Sequence, residues 1–349
     1  MMKAYKLYIS VLMALLLVGC SDTFDWESQS GYIRFATTGL TVEEVGSRAP
    51  IEEIDGSFGV LGYCLPYYGN TTDLDYNSGT AYWSDKYTRS TPHIFYKKEI
   101  NADGTYSYSS AEKWLNSRYR YSFFAYYPFN NSNITVNTGQ KTIGSPTMTI
   151  TMPNTTTPAD IPDAMVATAI DVTELTGNVQ LNFQHLLSGV QIRIRNYDSE
   201  SLIINSAKLS GTFIKSANIS FDTEGNFLLQ HSGTQNITYN LAENVDASVV
   251  NKGEAIVKYI GDPVMLLANS NDRFGTNLKL SINYTHKGAN TITKTVEYPF
   301  NYPTGFSPIL GNIYTFELQF INNSLLLSMV VQNEEPWQED EGDKDVTFE

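Results

Sequence analysis

Cysteine is nearly missing from this chain: 349 residues contain two, Cys20 and Cys64. No disulfide framework can be built from them, so stability must come from buried cores, which a chain of this length can form. Basic residues are also scarce, with 23 Lys and Arg against 37 Asp and Glu and a net charge of −14. Nucleic acid is therefore a poor partner, because phosphate recognition needs clustered Lys and Arg. Charged residues of both signs reach only 17% while aromatics reach 13%, which suits a folded extracellular protein and argues against global disorder. Apolar runs long enough to span a membrane are missing too. The candidate, Leu7 to Val18, has roughly a dozen residues, against the ~20 of a transmembrane helix.

What that run does provide is an export signal. Lys3 and Lys6 form a short positive region ahead of it, and it ends in Leu17-Val18-Gly19-Cys20, which resembles the lipobox of bacterial lipoproteins. Cleavage before Cys20 would leave its thiol to carry a diacylglycerol, and two or more acyl chains hold a protein on a bilayer stably. Residues 1–20 are thus read as a lipoprotein signal peptide.

A polar tether, Ser21 to Ser30, leads to Gly31–Thr38. Here Ile33, Phe35 and Thr37 alternate with Tyr32, Arg34 and Ala36, so the spacing predicts a strand with Ile33 and Phe35 on its buried side. A polar, acidic loop follows. From Ser21 to Asp85 the basic residues are Arg34, inside the predicted strand, and Arg48. Proteases cut exposed loops rather than paired strands, which makes the stretch around Arg48 a cuttable one.

The rest of the chain reads as β-structure. Strands are expected from Phe58 onward, at Thr105–Tyr108, across the aromatic run Arg118–Tyr127 and at Thr147–Thr151; Ala111–Asn116 reads as one helical turn. In the second half Val190/Ile192/Ile194, Leu278/Leu280/Ile282/Tyr284 and Tyr314/Phe316/Leu318/Phe320 each alternate with polar residues, the pattern of half-buried antiparallel strands. Gly/Asn/Asp turns at Asp222–Asn226, Lys287–Asn290 and Gly311-Asn312 separate them. The fold expected is all-β: two tandem antiparallel β-sandwiches of transthyretin-like, Greek-key type, over residues 21–177 and 178–333. An acidic tail, 334–349, follows.

Constellations that carry chemistry are hard to find. The four histidines, His93, His185, His231 and His286, have no metal-ligand spacing, and no nucleophile elbow, phosphate loop or dinucleotide fingerprint occurs. Asp73-x-Asp75-x-Asn77-x-Gly79 has oxygen ligands at alternate positions, but Ser78 and Ser84 stand where a calcium loop needs Gly and Glu, so a polar hairpin loop is the simpler reading. No catalytic, cofactor or metal site is assigned. Tyr67, Tyr68, Tyr82 and Trp83 could form a stacking platform for sugars, and a surface glycan-binding lipoprotein is the alternative function this leaves open.

Several of these stretches, taken together and in order, resemble the fimbrillin family, the subunits of type V pili in anaerobic Gram-negative bacteria. They are Leu17–Cys20, Ser47-Arg48-Ala49, Phe58–Tyr63, and Phe123-Phe124-Ala125-Tyr126-Tyr127-Pro128-Phe129. Asp163-Ala164-Met165-Val166-Ala167, Phe183-x-His185-Leu186-Leu187-Ser188 and Gly311-Asn312-Ile313-Tyr314-x-Phe316 complete the set.

The resemblance implies a structural subunit of a surface fimbria that supports adhesion. It would be exported to the cell outer membrane as a lipoprotein through Cys20 and cut after Arg48 by a trypsin-like, Arg-specific protease. Gly31–Thr38 would be removed, and a strand from another fimbrial subunit would fill the groove, restoring backbone pairing and apolar burial. Leu325, Leu327, Met329 and Val331 are the candidate donor strand, or else the last strand of their own domain. Burying about five aliphatic side chains would contribute on the order of 10 kcal/mol before ordering costs. Stalk, tip and anchor roles all remain open at this point, with retention of the lipid and the first strand favouring the anchor.

Overall fold

A computed structural model describes residues 31–37, 56–65, 82–106, 111–115, 119–173, 177–198, 201–249, 255–269, 273–287, 290–300, 302 and 306–329. The described chain is all-β. Its first half supplies β1 (Phe35–Thr37), β2 (Phe58–Leu65), β3 (Phe95–Ile100), β4 (Arg120–Tyr127), β5 (Ile134–Val136), β6 (Thr147–Thr151) and β7 (Met165–Val172). Then come β8 (Val179–Leu181), β9 (Gln184–His185), β10 (Ser188–Asn196), β11 (Ser201–Phe221) and β12 (Phe227–Asp246). The remainder is β13 (Ile256–Tyr259), β14 (Val264–Leu266), β15 (Thr276–Lys287), β16 (Thr291–Pro299), β17 (Ile313–Ile321) and β18 (Ser324–Met329).

One sheet, ordered β3-β2-β4-β7-β9, explains why the chain's most aromatic run is continuous. Along β4, Tyr121, Phe123, Ala125 and Tyr127 point to one core while Phe124 and Tyr126 point to another. β2 divides the same way, with Phe58, Val60 and Cys64 on one side and Leu61, Tyr63 and Leu65 on the other. A sheet with a core on each face has no solvent side, so its central strands lose the apolar/polar alternation. The sheet is the middle layer of this half.

The larger core extends beneath the second half. A sheet of order β16-β15-β11-β6-β5, with β12 also on β11, joins elements from both halves. β6 pairs with β11 from Ser216↔Thr151 to Ser220↔Thr147, so hydrogen bonding crosses residue 177. The 21-residue β11 and the 20-residue β12 form one hairpin about the expected turn. Asp222 caps it, its carboxylate accepting from the backbone N–H of Glu224 at 2.9 Å and of Asn226 at 2.8 Å.

Two readings change at this level. Ala111–Leu115 is extended rather than helical, and Lys113 bridges Tyr32 in antiparallel fashion. Alternation in β10 and β17 does not mark a solvent face. These strands pair parallel, Gly189↔Ile313 through Asn196↔Phe320, and Gln191, Arg193, Thr315 and Glu317 are buried with their apolar neighbours. The charges are tolerated because they meet: Glu317 Oε2 lies 2.8 Å from Arg193 Nε and 3.1 Å from Arg195 Nε.

Burial would push the Glu317 carboxyl up, but the Gln319 hydrogen bond and the guanidinium groups of Arg195 and Arg193 together outweigh it. The group sits below its usual range. Glu317→Gln would leave the buried Arg193 guanidinium and the half-buried Arg195 guanidinium short of a counter-charge, and is expected to cost about 3–5 kcal/mol of unfolding free energy at neutral pH. Because the folded-state value is depressed, the stabilisation is present above the ordinary glutamate range and is lost as pH falls from that range through the lower folded-state value. Urea midpoints of variant and wild type should differ at pH 7 and converge in acid.

Candidate functional site: the slot beneath the first strand

Of the predicted first strand, Gly31–Thr38, the structure shows Phe35–Thr37 as β1 with an isolated bridge at Tyr32 ahead of it, and the inward pair is as expected: Ile33 is fully buried and Phe35 is 3% exposed. It lies in a slot with a backbone partner along each side. On one side β1 pairs parallel with β8, Phe35↔Val179 through Thr37↔Leu181, and Val179 N–H donates to Arg34 C=O at 2.7 Å. On the other, Ile33 N–H donates to Glu112 C=O at 2.9 Å, and Trp114 N–H donates to Gly31 C=O at 2.8 Å. The Tyr106 hydroxyl donates to Ile33 C=O, and Thr37 Oγ1 donates to Ala102 C=O at 3.3 Å.

The floor of the slot is aromatic. The Phe35 ring meets Phe123, Phe95 and Phe58 edge-on, at centroid separations of 5.2, 5.6 and 6.3 Å. Such contacts add to area burial because ring edges and faces carry opposite partial charge. Val60, Trp114, Val179 and Leu181 belong to the same core. Gly104 makes room for the strand's backbone: with φ at +78°, a Cβ there would stand 1.9 Å from the Phe35 carbonyl oxygen. At the slot's mouth the Lys113 ammonium lies 4.9 Å from the centroid of the Tyr32 ring.

Cys64 lies in this core, fully buried, its thiol pushed up to about 12 by burial despite a hydrogen bond with Tyr121. So protonated a thiol is a packing group rather than a nucleophile.

Of the residues singled out from sequence, Cys20, Arg48, Ala49 and Val331 lie outside the described residues, as do Tyr67, Tyr68 and the Asp73–Gly79 loop. Leu325, Leu327 and Met329 are on β18, which pairs antiparallel with β17 as Phe320↔Leu325, Leu318↔Leu327 and Phe316↔Met329. In this structure they form the last strand of their own sheet. Leu325 is 4% exposed and Leu326, on the other side, is 52% exposed.

The proposed sugar platform is corrected. Trp83 has no exposed surface and packs against Tyr63 and Phe124 in the larger core. Tyr82 is exposed, with the Arg120 guanidinium 4.2 Å above its ring.

Three motifs distant in sequence meet at the β9 edge of the middle sheet. His185 Nδ1 lies 2.8 Å from Asp163 Oδ2, both groups being largely buried. Gly311 sits against the ring of His185 and donates its N–H to Leu187 C=O at 2.8 Å. Spacing alone did not reveal this pair.

These motifs find their place in comparison with known proteins. The family model described as fimbrillin-like matches residues 69–335. The chain belongs to the fimbrillin-like family. Among solved structures, a fimbrial protein from Bacteroides vulgatus matches at 19% identity with a TM-score of 0.59, over 86% of this chain and 99% of that one. A candidate cell adhesion protein from Bacteroides uniformis matches at 15% identity with a TM-score of 0.46, over 86% and 98% of the two chains. No curated protein matches. At 19% identity the likeness to the Bacteroides vulgatus structure speaks to the fold alone, and the fimbrillin-like assignment rests on the family model.

The slot had little sequence signature beyond β1 itself. Gly104, Tyr106 and Trp114 lie about 70–80 residues from the strand they hold, and Trp114 fell in a segment read as helix. In the uncleaved chain Phe35→Ala is expected to lower the unfolding free energy by about 3–5 kcal/mol, as for a buried Phe truncated in a packed core. Gly104→Ala should also destabilise by displacing the strand. Urea denaturation measures both, and a Phe35→Ala loss under about 1 kcal/mol would mean that the ring is not seated in the slot.

Proposed function

We propose that the protein is a structural subunit of a surface fimbria that supports adhesion and is assembled by protease-triggered strand exchange. The observation that carries this reading is the arrangement of β1. It is a short strand placed early in the chain, held in a slot by partners far away in sequence, and followed in the sequence by the polar stretch that contains Arg48. A covalent cut after Arg48 would turn an integral strand into a separable ligand of its own fold.

The remaining roles follow from the same reading. Cys20 carries the lipid that holds the precursor at the outer membrane, and an Arg-specific, trypsin-like protease cuts Arg48-Ala49. Other fimbrial subunits are the partners. Departure of β1 would uncover the Phe58, Phe95 and Phe123 edges and leave the backbone groups of Val179, Glu112 and Trp114 without partners, which is the condition for β-augmentation. The slot receives two buried side chains, Ile33 from the residues just ahead of β1 and Phe35 from β1 itself. Their side-chain burial amounts to about 3–6 kcal/mol, less than the five-residue figure suggested. With Trp83 buried, the sugar-binding alternative loses part of its platform.

The chain from Ser21 onward, treated with a trypsin-like protease and run on a denaturing gel without boiling, tests the reading. Cleavage at Arg48-Ala49 followed by a ladder of stable multimers is the expected outcome. An intact monomer, or a monomer cut at Arg48 that never forms multimers, would count against a polymerising subunit.

A further inference from the structure

The strands at the margins of the larger sheets mostly carry a feature that discourages a further strand. β3 contains Lys97 and Lys98, with Lys97 at a φ of +52°. β16 contains Lys294 and ends in Pro299, and β13 has Lys258 among its four residues. The backbone of β18 is capped by the Tyr298 hydroxyl, which donates to Leu325 C=O. β5, β9 and β14 have only two or three residues each.

β12 is different. It pairs with β11 along one side. On its other side, among the described residues, the backbone is bonded at Asn240, whose N–H donates to Thr156 C=O at 2.7 Å. From Phe227 to Leu241 it contains no proline and no Asp, Glu, Lys or Arg. Leu228 is 58% exposed, and Ser232, Gly233 and Thr234 are exposed in succession, so both faces of the strand reach solvent there.

The order of its side chains says what fits this edge. Counted outward from Gly233, like stands opposite like: Ser232 with Thr234, His231 with Gln235, Gln230 with Asn236 and Leu229 with Ile237. In an isologous contact each strand meets itself reversed, so residues equally far from the two-fold axis face one another. A strand whose residue types mirror about one position presents matched neighbours to its own copy, and β12 presents them with no like charges to repel.

We propose that β12 is the edge at which two copies of this chain pair, antiparallel and centred on Gly233. The contact runs from Leu228 to Thr238, stopping short of the bond between Asn240 and Thr156. Gly233 supports that centre. Its φ is +68°, and a Cβ there would meet nothing nearer than the Lys215 side chain at 3.8 Å, so the glycine serves the backbone conformation rather than a lack of room. An axis through this residue puts the two irregular points side by side, where each strand departs from regular geometry together with its partner.

The test uses the uncleaved chain from Ser21 onward, so it does not depend on strand exchange. Sedimentation equilibrium of wild type is expected to show monomer and dimer in exchange at micromolar concentration. S232K/T234K sets lysines opposite each other twice across the axis and should raise the dissociation constant at least about tenfold. S232K/T234E sets unlike charges there and should keep the dimer. Both positions are exposed, so urea midpoints are expected to stay at the wild-type value, which separates lost pairing from lost folding. S232C and T234C chains, mixed and oxidised, should form a disulfide-linked dimer, because directly opposite Cα atoms lie about 4.5–5.5 Å apart. Each variant alone should crosslink poorly.

A wild-type chain that stays monomeric at every concentration would overturn the pairing, and so would a dimer equally tight in S232K/T234K. Crosslinking of S232C with itself in preference to T234C would overturn the centre at Gly233. Strand exchange after cleavage at Arg48 would stand in each case.

Discussion

The edge-on packing of Phe35 against Phe58, Phe95 and Phe123 is the contact on which the first half of the molecule depends. Those three rings come from β2, β3 and β4, neighbouring strands of the middle sheet. The ring of Phe35 closes the face that they leave open. Without it the middle sheet would show an aromatic surface to water on one side while its other face stays packed on the larger core. A single short strand therefore decides whether this sheet is buried on both faces or on one.

That dependence explains the composition. A sheet between two cores needs apolar side chains at consecutive positions, and β4 supplies them as Tyr121 through Tyr127, interrupted only by Ser122. Second-half elements then lock onto the same body, β11 pairing with β6. Membership of the fimbrillin-like family and the proposed assembly role fit a molecule built in this way.

Much of this was legible in the residues, for identifiable reasons. Period-two alternation found β1 and its inward pair because one face of that strand is buried and the other is not. The Asp222–Asn226 turn was readable because its chemistry is local. What failed was whatever depended on a distant partner. Arg193 and Glu317 read as solvent-facing members of alternating strands, yet they pair in the interior across 124 positions of sequence. Trp83 read as a surface aromatic beside Tyr82, but Tyr63 and Phe124 enclose it. Gly104 has no signal at all until the Phe35 carbonyl is seen beside it.

The central claim is that β1 is a separable occupant of a preformed slot, and the Val179 amide reports on it directly. Its N–H is bonded to the Arg34 carbonyl of the first strand, so hydrogen–deuterium exchange at Val179 follows occupancy. Slow exchange in the uncleaved chain is expected, then fast exchange once the strand cleaved after Arg48 has departed, then renewed protection in the multimer. Unchanged protection through cleavage and assembly, with multimers forming regardless, would show that subunits join elsewhere and that the slot is a fixed part of the core.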